Sequence, residues 1–584
     1  MSSSQTMSKI DPSNPETLIG LEDDTYIGII SRLYDQNLQL TELLRIYVNE
    51  RYGQKTERFE DPDQLRLFED AGNGNEPVPA PGEEEVAESG GQKRRGTSRQ
   101  RKPHSDRLQK LRIPSKVHAA EELICTCCGK QRVKVNEVVV HCRYQYMPAS
   151  VSLHETVEEI FACPECDCIQ PMQSEESETN SNTQIDWTKL VTNANQDIKQ
   201  ATEEEALAWA TKETLAALKD ASARAIRCTA AAGMLSYISV SKYCDHLPLY
   251  RLEQILGRQG AEISSSTMCG WLAIASDMLR GIYELMQSNL LQSKVIKTDD
   301  TPVKVLDRKT KKKIRIGRVW VYIGDKDHPY ILFHYTKGRG RAGPKEFLKG
   351  FKRYLQGDCF SGNEAICAEN GAALVACNAH ARRYFAKALL NYKKKSEEAL
   401  RFFQKLFKIE EDAKELGITG EGLRLMREQE SKPLLEDFKK WLEIEHQIAL
   451  PKSSFGKAVS YCLNNWEALT AYLADGDLCI DNNEAERQMK GVATGRKAWL
   501  FFGSDDGGER AEVLMSVIAT CKMHGIDPWA YLNDVIETMT MNPLADLRNL
   551  LPTNWKPKPE AEAKAQSLKV AHFVASKFQS ARNK

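Results

Sequence analysis

Val295-Ile-Lys-Thr-Asp299 is the stretch on which the reading of this chain turns. From Lys294 onward the helical spacing gives way to short runs rich in β-branched and aromatic residues. These runs are Val295–Asp299, Arg318–Gly324 and Tyr330–Thr336, with Gly317 and Asp327-His328-Pro329 supplying turns between them. A short helix (Pro344–Gly350) then leads to a strand at Arg353–Asp358. A helix (Asn363–Glu369), a strand (Ala373–Asn378) and a helix (His380–Leu390) follow.

Three antiparallel strands followed by alternating helices and strands is the order of an RNase-H-like fold. The predicted class is multidomain α+β, with an RNase-H-like α/β core over 291–540 and a helical insertion at 391–472. Asp299 ends the first strand and Asp358 the fourth, which in that order are neighbours at the sheet centre. Adjacent carboxylates repel and are usually kept ionised by a cation. Oxygen-only ligands with open positions suit Mg²⁺ or Mn²⁺. Two such ions, about 4 Å apart, stabilise the attacking and leaving oxygens of an in-line phosphoryl displacement.

A third carboxylate is needed, and the candidate is Glu486 in Asp481-Asn-Asn-Glu-Ala-Glu486-Arg487, beyond the insertion. Asn483 with Glu486 three residues on is also a capping box, a purely structural way to start a helix. The flanking cations Arg487, Lys490, Arg496 and Lys497 favour a metal-and-phosphate role. Glu484 lies on a different helix face from Glu486. Asp300 points to the opposite side of its strand from Asp299, so a solvent-facing or loop role is expected for it. Cys377 and His380 suggest a nucleophile and base, but a strand end and a helix start explain them equally well. His380, Arg382 and Arg383 read better as groups facing phosphate.

The rest of the 584-residue chain calls for several folded units. Residues 20–70 contain a helix with Tyr26, Ile30, Leu33, Asn37, Leu40, Leu44 and Tyr47 at alternating spacings of four and three. That seam suits a coiled-coil-like, leucine-zipper-like dimer helix, or an amphipathic helix packing on its own chain. Residues 71–116 read as a disordered linker, acidic at Glu83–Glu88 and basic from Lys93 to Lys116. The basic half offers contacts to DNA phosphates. Seven of the 16 cysteines crowd residues 125–168. Cys125-Thr-Cys-Cys128-Gly and Cys163-Pro-Glu-Cys166 are two C-x-x-C turns that would hold one structural Zn²⁺, with Cys127 or Cys168 able to substitute. Strands at Glu137–Tyr146 and Ser150–Phe161 would complete a zinc-ribbon-like domain over 117–170.

Residues 171–290 read as a polar loop and then helices. Leu249–Arg258, Gly260 and the Ser264–Met286 helix resemble a helix-turn-helix that reads DNA. Residues 541–584 are taken as a C-terminal tail. No apolar run is long enough to span a bilayer and Met1–Glu16 lacks a signal-peptide core, so a cytosolic protein without a membrane partner is expected.

The chain also resembles transposases of the insertion-sequence 66 family along nearly its whole length. The resemblance rests on Tyr52-Gly-Gln-Lys-Thr-Glu-Arg58 with Gln64-Leu-Arg-Leu-Phe68, on the C-x-x-C-G finger, and on Ser241-Lys-Tyr-Cys-Asp-His-Leu-Pro-Leu-Tyr-Arg251. It continues through Asp299-Asp-Thr-Pro-Val303, Ala379-His-Ala-Arg-Arg383, Asp481–Arg487 and Gly495-Arg-Lys-Ala-Trp-Leu-Phe501. Asp300 stands where the family usually has Glu, Ala498 where it usually has Asn, and 170–222 is longer than usual.

The resemblance implies a bacterial, nucleoid-associated DDE transposase whose aligned acids are Asp299, Asp358 and Glu486. It also implies a zipper-like dimer segment, a zinc domain, and two small accessory proteins. The expected reaction is metal-dependent cleavage at transposon ends, followed by attack of the freed 3′-hydroxyls on target DNA. Asp299 would bridge two metal ions, with Arg382, Arg383, Arg487, Arg496 and Lys497 contacting DNA. Two rival readings remain: a nuclease on the same fold that cuts without joining, and a zinc-containing, dimeric DNA-binding regulator derived from an inactive transposase.

Overall fold

The computed structural model describes residues 108–115, 123–125, 127–147, 150–162, 169–170, 211–307 and 313–582. The zipper-like helix, most of the linker, the polar loop at 171–210 and the second cysteine pair, Cys163 and Cys166, lie outside the described residues.

The first sheet is built on a long hairpin. Strand β2 (Val133–Met147) pairs antiparallel with β3 (Ser150–Ala162) over the expected region. On the other edge of β3 lie β1 (Gln109–Pro114), parallel to it, and the short β4 (Ile169–Gln170). Strand β1 departs from the linker expected up to residue 116. Leu108 and Ile113 are buried, and those two apolar side chains give a basic segment a core to join. The first C-x-x-C does form a tight turn: the Cys125 N–H donates to the Lys130 carbonyl (2.8 Å), and the Gly129 N–H donates back to the Cys125 carbonyl (2.9 Å). Gly129 sits at φ +69°, where a side chain is disfavoured.

Four helices follow: α1 (Lys212–Arg227), α2 (Ala232–Tyr243), α3 (Leu249–Arg258) and α4 (Ser265–Leu290). The expected punctuation holds at the last of these. Gly260 adopts φ +91° after α3, and the Ser264 hydroxyl caps α4 by accepting the Thr267 N–H at 3.2 Å. Buried Met268, Leu272, Ala275, Leu279, Ile282, Met286 and Leu290 make α4 the axis of the largest core.

The central sheet has β5 (Val295–Leu306), β6 (Ile314–Ile323), β7 (Ile331–Thr336), β8 (Tyr354–Gly357) and β9 (Ala373–Ala376) in the order β7-β6-β5-β8-β9. The first three are antiparallel, and β5, β8 and β9 run parallel. Helices α5 (Ala342–Phe347), α6 (Ser361–Asn370) and α7 (Asn378–Ala388) alternate with the last two strands. Strict alternation sorts the two faces. Trp320, Tyr322 and Leu332 face the α4 core, while Val319, Val321, Ile331 and Phe333 face the opposite side. Strand β5 is longer than expected, so Asp299 lies within it and does not end it.

Helix α7 opens an all-helical insertion: α8 (Lys393–Glu415), α9 (Glu421–Met426), a π-turn (Arg427–Ser431), α10 (Lys432–Ile448), α11 (Ser454–Asn464) and α12 (Trp466–Thr470). Its aromatic core (Phe385, Phe403, Phe438, Phe455) reaches the sheet at Ala376 of β9. The chain returns as α13 (Asn483–Trp499) and α14 (Asp505–Met523). Helix α14 closes the free edge of β7 with three side chains four residues apart. Glu512 accepts the Tyr335 N–H (2.9 Å), Ser516 the Phe333 N–H (2.7 Å) and Thr520 the Ile331 N–H (3.1 Å). Helix α15 (Pro528–Met541) packs on α2. The expected C-terminal tail is α16 (Glu560–Arg582), which buries Val570, Val574 and Ala575 against α15, α1 and β1. Among the described residues, no helix is long and apolar enough to cross a membrane.

Candidate active site

The parallel pair β5/β8 sets the geometry. Lys297 pairs with Gln356, so two residues further along each strand come Asp299 and Asp358, side by side at the same end of the sheet. The approach is close: a Cβ on Gly357 would come within 3.1 Å of the Thr298 carbonyl, so any larger residue would push the strands a few tenths of an ångström apart.

Helix α13 is laid over this end by polar stitches at both termini. Asn482 donates to the Thr298 carbonyl (2.8 Å), and Gln356 donates to the Asp481 carbonyl (3.0 Å). At the far end, Arg496 donates to the Thr301 hydroxyl (2.6 Å) and the Pro302 carbonyl (2.7 Å). Between them Ala485, Met489 and Val492 pack on Val303 and Val305. The helix starts one residue earlier than a cap at Asn483 requires: Asn482 is the cap and Asn483 the first helical residue. The Asn483–Glu486 capping box is therefore not formed. Asp481 binds the Asn483 N–H (3.1 Å) and the Asn483 side-chain amide (2.7 Å), while the Glu486 carboxylate turns to α7 and meets Arg383 at 3.2 Å and His380 at 3.7 Å.

The Asp299 carboxyl senses the other two acids. Burial, and then the negative charges of Asp358, Asp300 and Glu486, push the Asp299 carboxyl up to about 7, against a hydrogen bond from the Asp300 N–H. Burial and Asp300 also raise Asp358, opposed by His380, the Phe360 N–H and Arg339. The competing acid, Glu484, is committed to Lys297 at 2.6 Å.

Several expectations need correction. The Asp300 side chain is 3% exposed, not solvent-facing. It pairs with Arg318 (2.6 Å) and Arg339 (3.1 Å), because a charge on the inner face of β5 must be matched. Arg339 also reaches Asp358 at 3.8 Å. Sequence reading missed Arg339; the basic run Gly338-Arg-Gly-Arg341 after β7 was the only hint. Of the cations expected to face DNA, Arg382, Arg487 and Lys497 are exposed and Arg383 is at Glu486. Arg496 instead holds α13 to β5. Cys377 is fully buried, and burial pushes its thiol up to about 11, which excludes a nucleophile at neutral pH.

Away from the acids, a shallow groove of about 420 Å³ lies between the C-terminal end of α1 and the start of α4. Arg224, Arg227, Ser266, Thr267, Gly270 and Trp271 are among the residues that line it. This is the start of the helix expected to read DNA.

Comparison with known proteins gives matches along most of the chain. Residues 227–510 match the profile described as "Transposase IS66 family", 516–553 the "IS66 C-terminal element", and 39–113 "Transposase C of IS166 homeodomain". Three proteins of Sinorhizobium fredii (strain NBRC 101917 / NGR234) are similar, each bearing the name of an uncharacterised protein. Protein y4hP is 28% identical over 547 residues, covering 88% of both chains. Protein y4jD is 29% identical over 344 residues (56% of this chain, 66% of that one), and y4qI 28% over 340 residues (56% and 62%).

Proposed function

Because the chain belongs to the IS66 family of transposases, we propose that its RNase-H-like core cuts transposon ends and joins them to target DNA through Asp299, Asp358 and Glu486. The observation that carries this reading is the Asp299 carboxyl, held at about 7 by burial and by two acids from distant parts of the chain. A buried acid whose charge is opposed in this way marks a place where a cation or a proton can be used.

The donor set fits a hard divalent ion. All three groups offer oxygen alone, and around them four carboxylates (Asp299, Asp300, Asp358, Glu486) face three guanidiniums (Arg318, Arg339, Arg383). Burial and neighbouring negative charges oppose the ionisation of Asp299, and Mg²⁺ or Mn²⁺ would supply the positive charge that favours it. Asp299, Asp358 and Glu486 are the residues that would hold such ions. When bound, such ions activate the attacking water or 3′-hydroxyl and stabilise the leaving oxygen of the scissile phosphodiester.

The chain's own groups do the positioning. Arg382, Arg487, Lys490 and Lys497 present charge on α7 and α13 to flanking phosphates. Arg383 neutralises Glu486 until DNA draws it away. Arg227, Ser266 and Thr267, around the groove at the start of α4, would take a second stretch of backbone. We further propose one structural Zn²⁺ held by Cys125, Cys128, Cys163 and Cys166, a homodimer through the segment at 20–70, and two small accessory proteins as partners. The tight turn at Cys125–Lys130 supports the zinc assignment.

Incubating the protein with end-bearing DNA and Mg²⁺ tests the reading. Wild type should nick and join, while Asp358→Ala and Asp299→Asn should bind DNA but do neither. Nicking without joining would leave a nuclease, and cleavage retained by Asp299→Asn would refute the assignment.

A further inference from the structure

Glu486 belongs to a second constellation. The Cys377 sulfur, a His380 ring nitrogen and a Glu486 carboxylate oxygen all lie within 4.8 Å of one another, where α7 starts and α13 passes over it. Ligand atoms of one tetrahedral ion bound at about 2.0–2.3 Å are spaced this way. Two further features separate this cluster from a chance meeting. The backbone N–H of Asn482 donates to the Cys377 sulfur at 3.2 Å, and the N–H groups of His380 and Ala379 also point at it. Such N–H donors stabilise a thiolate, which this buried thiol has no other means of becoming. The His380 Nδ1 is buried with no hydrogen-bond partner among the described residues, so no protein group at that nitrogen fixes the tautomer of the ring.

We propose that Cys377, His380 and Glu486 form a binding site for a borderline-soft divalent ion such as Zn²⁺ or Cd²⁺, distinct from the hard-ion site at Asp299 and Asp358. A thiolate and an imidazole select such ions over Mg²⁺. Binding forms one metal–sulfur, one metal–nitrogen and one metal–oxygen contact, and the thiol proton leaves to solvent. The cost is the displacement of Arg383 from Glu486. Because Glu486 is shared, occupancy withdraws it from the two aspartates, making the site inhibitory. Only that last consequence rests on the proposed transposase chemistry.

The test uses the full chain, titrated with Cd²⁺ and followed by thiolate-to-metal charge-transfer absorption and by bound metal per chain. Wild type should take up one ion more than Cys377→Ser, and His380→Gln should weaken that ion at least tenfold. His380 is a quarter exposed, so its replacement leaves the fold and the N–H donors to Cys377 in place. Equal stoichiometry and equal spectra in wild type and both variants would overturn the site. Repeating the titration with Asp299→Asn separates the two readings: the extra ion should persist there, and its loss would mean that the ion belongs to the aspartate site. In the nicking assay, Cd²⁺ inhibition should require at least tenfold more metal for Cys377→Ser, and equal sensitivity would overturn the inhibitory role.

Discussion

Replacing Arg427 with methionine severs the connection between the helical insertion and the segment that delivers Glu486. The Arg427 side chain is 1% exposed, and all five of its N–H donors are used. Nε and Nη2 each bind Glu410 at 2.7 Å, Nη1 binds the carbonyls of Tyr472 (2.8 Å) and Asp475 (3.0 Å), and Nη2 also binds that of Leu478 (2.9 Å). Those carbonyls belong to the return path from α12 to α13. Methionine fills most of the volume but leaves Glu410 as a partly buried, unpaired charge and three carbonyls without donors. Breaking such a pair costs about 3–5 kcal/mol. In a unit of this size that corresponds to a fall in the unfolding midpoint of roughly 10 °C. Thermal unfolding by calorimetry, with the Mg²⁺-dependent nicking rate alongside, should show both the fall and a loss of activity at temperatures where DNA binding persists. Adding Glu410→Leu should recover about half of the stability, because the unpaired charge is then gone. A loss below about 1 kcal/mol, or unchanged nicking in the folded variant, would refute the claim that this guanidinium positions the return path.

Asp299→Asn should stabilise the metal-free protein at pH 7, because it removes a carboxylate whose ionisation is opposed by burial and by Asp358, and the unfolding midpoint should no longer rise with Mg²⁺. Stabilisation by Mg²⁺ that survives the substitution would count against these ligands. Although burial opposes its charge, hydrogen bonds from His334, the Tyr335 N–H and Arg280 hold the Glu512 carboxyl below its usual value. A lowered folded value means that its contribution is present above about pH 4.5, the ordinary carboxyl range, and is lost as pH falls through the folded value. Glu512→Gln should therefore cost about 3 kcal/mol near neutrality, and the difference from wild type should narrow below pH 4.5 in urea titrations; a pH-independent gap would contradict this. Arg227→Glu, beside the groove at the start of α4, should weaken DNA binding and flatten its salt dependence in an anisotropy titration, leaving thermal stability within about 0.5 kcal/mol. Strong chelation should release one Zn²⁺ per chain and expose Cys125 and Cys128 to thiol reagents, and zinc-free purified protein would end that assignment.

Chemistry-bearing residues and element order were legible without coordinates, because period-two runs and turn residues act locally. The strands around Asp299 and Asp358, the helix opening at Ser264 with its cap, and the insertion before Asp481 all follow from short-range patterns. The same local logic failed where distant partners decide. Asp300 looked like a solvent acid until Arg318 arrived from β6 and Arg339 from the loop after β7, and the Asn483–Glu486 box yielded to Asn482 once Thr298 offered it a carbonyl. Gln109–Pro114 seemed too basic to fold until β3 gave it an edge, and the last helix acquired a core from α15, α1 and β1. Spacing along a chain thus settles which groups exist and which face of an element they share. Charge pairing, edge closure and the turn of Glu486 towards Arg383 and His380 depend on through-space electrostatics and burial, whose strength is set by distances that only the packed molecule possesses.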